Sequence, residues 1–324
     1  MQKQQYNFDP ELVPYLSVLP TVIDFSSTES IRSFWAEFSA QNRTAEDHND
    51  ADKITIENRM IPGLNNDPDI AIRIYKPKHS PQNQLPAIYE IHGGGFIIGD
   101  LNMQDLWCVD MALQVGAVVI SVDYRLAPEH PYPAAPNDCY AGLNWIFENA
   151  QTLGIDPTKI AIAGQSAGAC LAAATTLRSR DQNGPQVCFQ LLEIPVFDDR
   201  MTTASMLEFK DTPMWNHSNA IWGWKHYLGE DHDGNTSPYA APARADDLSE
   251  LPPTYISTME FDPLRDEGIE FALRLMRAGV SVELHSYPGT FHGATMVAKA
   301  KVTQRNLQEI IESFRNHLII PESA

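Results

Sequence analysis

Short apolar runs alternate with longer helix-like segments along most of the chain. The runs are rich in β-branched residues, which predicts strands buried on both faces, whereas the longer segments space their apolar residues as a helix does. The predicted strands cover residues 86–91, 117–122, 159–163, 187–194, 254–259 and 281–287, and the predicted helices cover 134–149, 167–180, 265–278 and about 298–317. This alternation indicates an α/β fold with a mainly parallel central sheet and helices on both faces.

Two segments depart from this pattern. Residues 1–50 are polar, with a helix-like stretch at 30–38, and precede two alternating runs, 54–61 and 70–77, that predict an antiparallel hairpin. Residues 198–230 are too long for an ordinary connection between strands, which predicts inserted helices. Their tryptophans either pack in the core or line a pocket: Trp215, Trp222 and Trp224. We expect a helical cap of residues 1–50 and 198–230 over a core of residues 51–197 and 231–324.

Composition limits the classes of function. The chain has 324 residues, of which 43% are hydrophobic, and its formal net charge is −19. This apolar fraction is sufficient for a globular core and excludes a disordered chain. The acidic balance argues against binding to nucleic acid or to an anionic membrane through a basic face. We expect the charge to serve solubility.

The four cysteines form neither a C-x-x-C pair nor a metal-finger spacing: Cys108, Cys139, Cys170 and Cys188. The first residues lack a basic start followed by an apolar run, and no stretch approaches the length of a membrane span, about 18 apolar residues. We therefore expect a cytoplasmic protein. The sequence is also compatible with a homodimer.

The sharpest local motif is G-x-S-x-G at residues 164–168, which read GQSAG. It follows the predicted strand 159–163 and opens the predicted helix 167–180. This strand–turn–helix setting is the one that a nucleophile elbow requires, in which a tight turn presents the serine at a helix N-terminus. An ordinary glycine–serine turn is the alternative. The flanking elements favour Ser166 as a nucleophile.

A serine hydroxyl needs a base, and the base needs an acid that orients it. We expect the acid and then the histidine to follow the serine along the chain. His292 is the favoured base because it follows the last predicted strand on a loop. His285 lies inside that strand, and His317 lies in the terminal helix, where we expect it to be solvated. Asp262 is the favoured acid because it directly follows the strand 254–259. It could instead only cap the next helix, and Glu260 is the nearest rival.

Residues 92–95 (HGGG) come directly after the predicted strand 86–91. Glycines let the backbone approach a ligand and present its N–H groups, which fits an oxyanion hole completed by the N–H of Ala167. A phosphate-binding loop is the competing interpretation. It is disfavoured because no G-x-G-x-x-G pattern is present and no Lys-Ser or Lys-Thr follows the glycines.

Together, five motifs resemble the hormone-sensitive-lipase family of bacterial esterases: residues 92–95, 123–129 (DYRLAPE) with Pro131 and Pro133, 164–168, 262–268 and 291–293. The resemblance covers roughly residues 50–320. It implies an α/β-hydrolase core with a helical cap built from the N-terminus and an insertion. It also implies the triad Ser166, Asp262 and His292, and an oxyanion hole formed by Ala167 with two N–H groups from Gly93, Gly94 and Gly95.

The resemblance further implies that His92 braces the glycine loop and that Asp123 and Arg125 are structural partners beneath the site. The sequence departs from the family at Gln165, where Asp is common, and at Ala169 and Cys170, which replace a frequent glycine. None of these positions belongs to the predicted triad. The loss of a charge at Gln165 could change the pH profile.

The motifs predict a serine carboxylic-ester hydrolase that acts on small short-chain acyl esters through an acyl-enzyme, without cofactor or metal. Residues 231–235 distantly resemble a calcium loop but lack its ligand spacing. The predicted substrate pocket includes Phe96, Trp215 and Trp222. A serine amidase or peptidase on the same fold and a non-catalytic binding protein remain as alternatives.

Overall fold

The centre of the protein is a single mixed sheet. In the computed structural model the described residues are 6–17, 19, 24–39, 48, 50–79, 84–230 and 232–319. Within them, the strands run in the spatial order β1-β2-β4-β3-β5-β6-β7-β8, and every neighbouring pair from β4 to β8 is parallel. Their bounds are Ile54–Ile61 (β1), Ile70–Pro77 (β2), Leu85–Ile91 (β3), Val118–Asp123 (β4), Ile155–Gln165 (β5), Phe189–Glu193 (β6), Thr254–Phe261 (β7) and Val282–Phe291 (β8).

Helices cover both faces of this sheet. Their bounds are Thr28–Ser39 (α1), Asp105–Val115 (α2), Ala134–Glu148 (α3), Ala150–Leu153 (α4), Ala167–Asp181 (α5), Ala204–Glu208 (α6), His217–Leu228 (α7), Arg265–Arg277 (α8) and Lys301–Leu318 (α9). The side chains of β4 alternate between two apolar clusters: Ile120 belongs to the cluster that includes residues of α3, α5 and α8, and Val119 belongs to the cluster that includes residues of α2 and α9. Because successive strand residues point to opposite faces, this alternation produces the three-layer α/β architecture.

The predicted secondary structure is confirmed in outline. The hairpin of β1 and β2 is antiparallel, helix α1 lies over the predicted stretch 30–38, and the segment 198–230 contains α6 and α7. Several bounds differ from the predicted ones. Strand β5 begins at Ile155 and β8 extends to Phe291. Helix α2 was not predicted, because six of its eleven residues are buried and no polar stripe marks its outer side.

Four loops carry the predicted chemistry, and all of them leave the carboxyl ends of strands. The glycine loop follows β3, Ser166 follows β5, Asp262 follows β7, and His292 follows β8. Since parallel strands end at one edge of the sheet, the fold gathers these residues there. Among the residues that the structure describes, no helix is long and apolar enough to cross a membrane.

Candidate active site

Ser166 occupies a strained turn between β5 and α5. Its backbone φ is +56°, a region that non-glycine residues rarely adopt, and it forms the N-cap of α5. The glycines on either side allow this turn through close packing. A Cβ atom at Gly164 would lie 2.2 Å from the carbonyl oxygen of Gly168, and one at Gly168 would lie 1.9 Å from that of Ile91. The motif therefore has the geometry of a nucleophile elbow.

Three side chains form a line of hydrogen bonds at this turn. The Ser166 Oγ lies 2.9 Å from Nε2 of His292, and Nδ1 of His292 lies 2.7 Å from Oδ2 of Asp262. The other carboxylate oxygen of Asp262 accepts the N–H of Leu264 at 2.9 Å. Ser166 is 6% exposed, His292 8% and Asp262 1%. The structure thus brings together the three residues that the sequence singled out, in a site nearly sealed from water.

The rival residues lie elsewhere. The carboxylate of Glu260 accepts the backbone N–H of Gly289 at 2.6 Å, so it bonds to β8 itself and not to His292. His285 lies on β8 and bonds to Glu283 at 2.8 Å. His317 is half-buried, and its ring stacks on Phe189 at 4.1 Å, so the expectation of a solvated side chain was wrong.

The glycine loop lies against the serine. A Cβ atom at Gly93 would lie 2.9 Å from the carbonyl oxygen of Gln165 and 3.6 Å from Cβ of Ser166. Gly94 has a φ of +111° and Gly95 a φ of +59°, both in the region that favours glycine. The loop therefore needs its glycines for close approach and for backbone conformation, and it brings backbone next to the serine hydroxyl.

His92 supports this loop from below. Its ring stacks on Tyr124 at 4.2 Å, and its Nδ1 lies 2.8 Å from the carbonyl oxygen of Gly93. The hydroxyl of Tyr124 donates to the carbonyl oxygen of His92 at 3.0 Å. Burial lowers the pKa of His92 to about 4, so the imidazole is neutral at ordinary pH. The sequence did not single out Tyr124, although it lies within the 123–129 motif.

In the 123–129 motif beside the glycine loop, Arg125 binds two carboxylates. The guanidinium of Arg125 donates to both oxygens of the fully buried Asp138 and, at 2.8 Å, to Asp67. Burial raises the pKa of Asp123. At the elbow, Gln165 accepts a hydrogen bond from the amide of Gln104 at 3.2 Å, a neutral pairing where the family commonly has a charge.

The aromatic residues predicted to line a pocket differ in position. The ring of Trp215 lies 5.8 Å from that of His292, and a Cβ atom at Gly95 would lie 3.0 Å from both Trp215 and Phe25. Trp215 therefore borders the site. Phe96 is 2% exposed and stacks on Tyr227 of α7 at 3.9 Å, so its ring packs against α7.

Trp222, by contrast, contacts its own helix: its ring lies 5.7 Å from that of His226 and 4.7 Å from the ammonium of Lys225. These contacts give it no position beside the serine. Phe25, which the sequence reasoning missed, packs edge-on against Trp215 at 4.9 Å. It lies in the N-terminal segment, 190 positions before its partner, and no local pattern marks it.

Within the described ranges, no three His, Cys, Asp or Glu side chains come together as a metal ion would need. All four cysteines are free thiols, three of them buried. Their reactivity is low because burial raises the pKa of Cys108, Cys139 and Cys170. The site residues are thus a hydroxyl, an imidazole, a carboxylate and backbone amides, the set needed for acyl transfer.

Comparison with known proteins agrees with this chemistry. A family model described as the alpha/beta hydrolase fold matches residues 88–296. Esterase LipI of Mycobacterium tuberculosis is 41% identical over 74% of this chain and 76% of its own length. The ethyl acetate hydrolase of Pseudomonas putida is 30% identical over 77% and 79%. The structure of a bacterial heroin esterase is 47% identical in sequence and superimposes with a TM-score of 0.92. The match covers 97% of this chain and 99% of that protein.

These relatives are esterases that share the fold across most of its length, and the serine–histidine contact that esterases require is present here. Their substrates imply a small-molecule ester. The hydrogen-bonded serine, the glycine loop and the sheet topology lead to the same conclusion as the identities. The chain belongs to the α/β-hydrolase family of the hormone-sensitive-lipase type, and it is a carboxylesterase.

Proposed function

We propose that Ser166, His292 and Asp262 are the catalytic triad of this carboxylesterase. The single observation that supports this most strongly is the continuous line of hydrogen bonds, 2.9 Å and 2.7 Å, that joins the hydroxyl to the carboxylate through the two ring nitrogens. His292 Nε2 takes the proton of Ser166 as Oγ attacks the ester carbonyl carbon. Asp262 holds the ring in the tautomer with its proton on Nδ1 and stabilises the imidazolium.

The attack makes a tetrahedral intermediate whose oxygen carries a negative charge. We assign its stabilisation to the N–H of Ala167 with two N–H groups of the glycine loop, for which the positive-φ residues Gly94 and Gly95 are the best candidates, while Gly93 gives the backbone room against Ser166. Ala167 is the first residue of α5, where a helix leaves its N–H groups unpaired, and these groups favour negative charge.

Collapse of the intermediate breaks the ester C–O bond, and His292 gives its proton to the leaving alcohol. Water then attacks the acyl-enzyme, with His292 again as base, and the same oxygen site holds the second intermediate. The acid is released, and Ser166 recovers its proton. Every proton in the cycle passes through Nε2 of His292, and no electrons are exchanged.

We propose short-chain acyl esters as substrates. Trp215 lies 5.8 Å from the His292 ring and meets Phe25 over Gly95, so the space above the serine is bounded by aromatic rings. A bounded apolar pocket rewards each added methylene by about 0.8 kcal/mol only until it is full. The relative named for ethyl acetate acts on a two-carbon acyl group, which supports the same size range.

The triad is tested by replacing each member beside a matched neighbour. Ser166→Ala and His292→Ala are expected to lower kcat by roughly 10⁴-fold or more, and Asp262→Asn by a comparable factor. The controls are the two rival residues on β7 and β8. The kcat of Glu260→Gln and of His285→Ala should stay within about threefold of the parent value. A folded Ser166→Ala protein with near-normal esterase rates would overturn the assignment.

Two alternatives are tested by the same protein. A serine amidase or peptidase would share the triad, and comparing rates on a p-nitrophenyl ester with those on the matched p-nitroanilide separates it from an esterase. A non-catalytic binding protein would not form a covalent adduct at Ser166 with a fluorophosphonate, whereas an active hydrolase reacts once per site. The identities to esterases and the intact hydrogen-bond line favour hydrolysis of esters.

We further propose that residues 1–50 and 198–230 form the cap, and that the protein is cytoplasmic. The contact between Phe25 and Trp215 supports the cap, because it joins the two segments above the glycine loop. Four free cysteines without a disulfide are typical of a reducing compartment. A homodimer stays a prediction, which light scattering tests; β8 leaves one edge of the described sheet unpaired.

A further inference from the structure

Helix α8, which follows the acid Asp262, begins without a capping side chain of its own. Its N-cap residue is Leu264, which cannot accept a hydrogen bond from the first turn. The hydroxyl of Ser205, on helix α6 of the insertion, takes this role: its Oγ accepts the N–H of Asp266 at 3.1 Å. The same hydroxyl donates to the carbonyl oxygen of Pro263 at 2.8 Å. Ser205 thus caps α8 from another segment.

The contact is reciprocal. The backbone N–H of Ser205 donates to Oδ2 of Asp266 at 2.8 Å, while Oδ1 of Asp266 pairs with Arg265. Ser205 is fully buried, so water does not compete for any of these bonds. Two backbone groups of the α8 turn and one of α6 are satisfied through this one pair of residues. These bonds therefore join α6 to the turn between Asp262 and α8, although the bonded residues are about 60 positions apart in the chain.

The hydrogen bonds of Ser205 hold the turn that follows Asp262. Oδ1 of Asp262 accepts the N–H of Leu264, which leaves Oδ2 for Nδ1 of His292. The Leu264 N–H belongs to the peptide group whose carbonyl is that of Pro263, and Ser205 holds that carbonyl. Because a peptide group is planar, fixing its oxygen also fixes the direction of its N–H. The orientation of the Asp262 carboxylate therefore depends on Ser205.

We propose that Ser205 is a positioning residue for Asp262, so that the insertion contributes to catalysis and does not merely cover the pocket. The inference rests on the proposed triad. A hydroxyl that only stabilised the fold would change the free energy of unfolding and leave the rate of the folded enzyme alone. One that aims the carboxylate changes kcat through Asp262, and we expect the substrate KM to stay nearly constant because the hydrogen bonds of Ser205 go to the turn before α8 and to its first residues.

The test is a double-mutant cycle on p-nitrophenyl acetate. Ser205→Ala is expected to lower kcat about tenfold with KM within about twofold, because small displacements of catalytic groups carry costs of this order. In the Asp262→Asn background the same change should alter kcat by less than about twofold. The control is Ser313→Ala, because Ser313 is also buried and its hydroxyl bonds to Glu283 near the amino end of β8, opposite to the end that His292 follows. It should leave kcat unchanged in both backgrounds.

A second pair guards against misfolding of the Ser205 variants. Asp266→Ala removes the acceptor of the Ser205 N–H, whereas Asp266→Asn retains an amide oxygen that can accept it, so only the alanine variant should lower kcat. Ser205→Thr keeps the hydroxyl and should recover most of the rate. Equal effects of Ser205→Ala in both backgrounds, or a normal kcat in the Ser205→Ala and Asp266→Ala enzymes, would refute the inference. A normal rate for Asp262→Asn alone would instead refute the triad.

Discussion

Arg32 anchors the N-terminal helix α1 to the residues that follow the glycine loop. Its guanidinium donates to the carbonyl oxygens of Ile97 and Ala127, each at 2.9 Å, and forms a two-pronged ion pair with Glu129 at 2.6 Å and 2.7 Å. Ile97 in turn bonds back to Gly94 at 3.1 Å. Replacing Arg32 by alanine therefore removes the polar contacts that hold α1 against the glycine loop.

The expected loss in the free energy of unfolding follows from the two kinds of contact that Arg32 makes. The Glu129 side chain is 53% exposed, and exposed pairs contribute about 0.2–1 kcal/mol even when the geometry is good. A hydrogen bond from a charged donor contributes about 1.5–3 kcal/mol, and the two carbonyl oxygens are only part-buried, so the lower end applies to each. We expect Arg32→Ala to cost about 3–4 kcal/mol and Glu129→Gln at most about 1 kcal/mol.

Urea unfolding followed by tryptophan fluorescence measures both costs, with kcat/KM recorded on the same samples. Arg32→Lys is the informative control, because a lysine keeps the charge but cannot reach both carbonyl oxygens and Glu129 together, so it should resemble the alanine variant. Hydrogen bonds to Arg32 lower the pKa of Glu129 to about 2, so the contribution of Glu129 is present above pH 4.5 and lost as the pH falls through 2. If Glu129→Gln cost as much as Arg32→Ala, the reasoning from the carbonyl contacts would be wrong.

The remaining predictions concern the pocket and a buried carboxylate. With p-nitrophenyl esters, kcat/KM should peak at acyl chains of about two to six carbons and fall steeply by about twelve, since extra methylenes stay wet once the pocket is full; a rate that keeps rising to sixteen-carbon chains would mark a true lipase. Trp215→Phe should move the optimum to longer chains, and Trp107→Phe, on the opposite face of the sheet, should not. Burial raises the pKa of Glu193 from 4.5 to about 7, so its stabilising neutral form is fully present below pH 4.5 and is lost as the pH rises through 7. Glu193→Gln should therefore raise Tm more at pH 8 than at pH 5, whereas the exposed Glu148→Gln should show no such difference.

Local patterns predicted the strands and nominated the proposed triad because both depend on neighbouring residues. The G-x-S-x-G turn needs glycines at fixed offsets, as the 1.9 Å approach at Gly168 makes plain, so the motif and the strain at Ser166 are two views of one constraint. The choice of His292 over His285 also followed from position: one comes after β8, and the other lies inside it. Apolar residues on the outer side of α2, among them Trp107 and Leu113, blurred its helical pattern, and the helix was missed.

The residues that tie the segments together could not be predicted in this way. Ser205 meets Pro263 and Asp266 about 60 positions away, and Arg32 meets Glu129 across 97 positions. A serine at the second position of a short helix and an arginine on a polar face are ordinary surface patterns until the fold brings their partners. Nothing local distinguishes them from solvated residues, because their meaning lies in contacts that only the tertiary structure creates.

These hydrogen bonds limit how the proposed cap can move. Arg32 joins α1 to the glycine loop, and Ser205 joins α6 to the acid turn, so separating either segment from the core breaks hydrogen bonds in buried or half-buried surroundings. The contact between Phe25 and Trp215 is apolar and edge-on, and it can part without leaving a donor or acceptor unpaired. We therefore expect substrate to enter where these two rings meet, above Gly95, while both polar anchors stay closed and keep the acid and the glycine loop in place for attack.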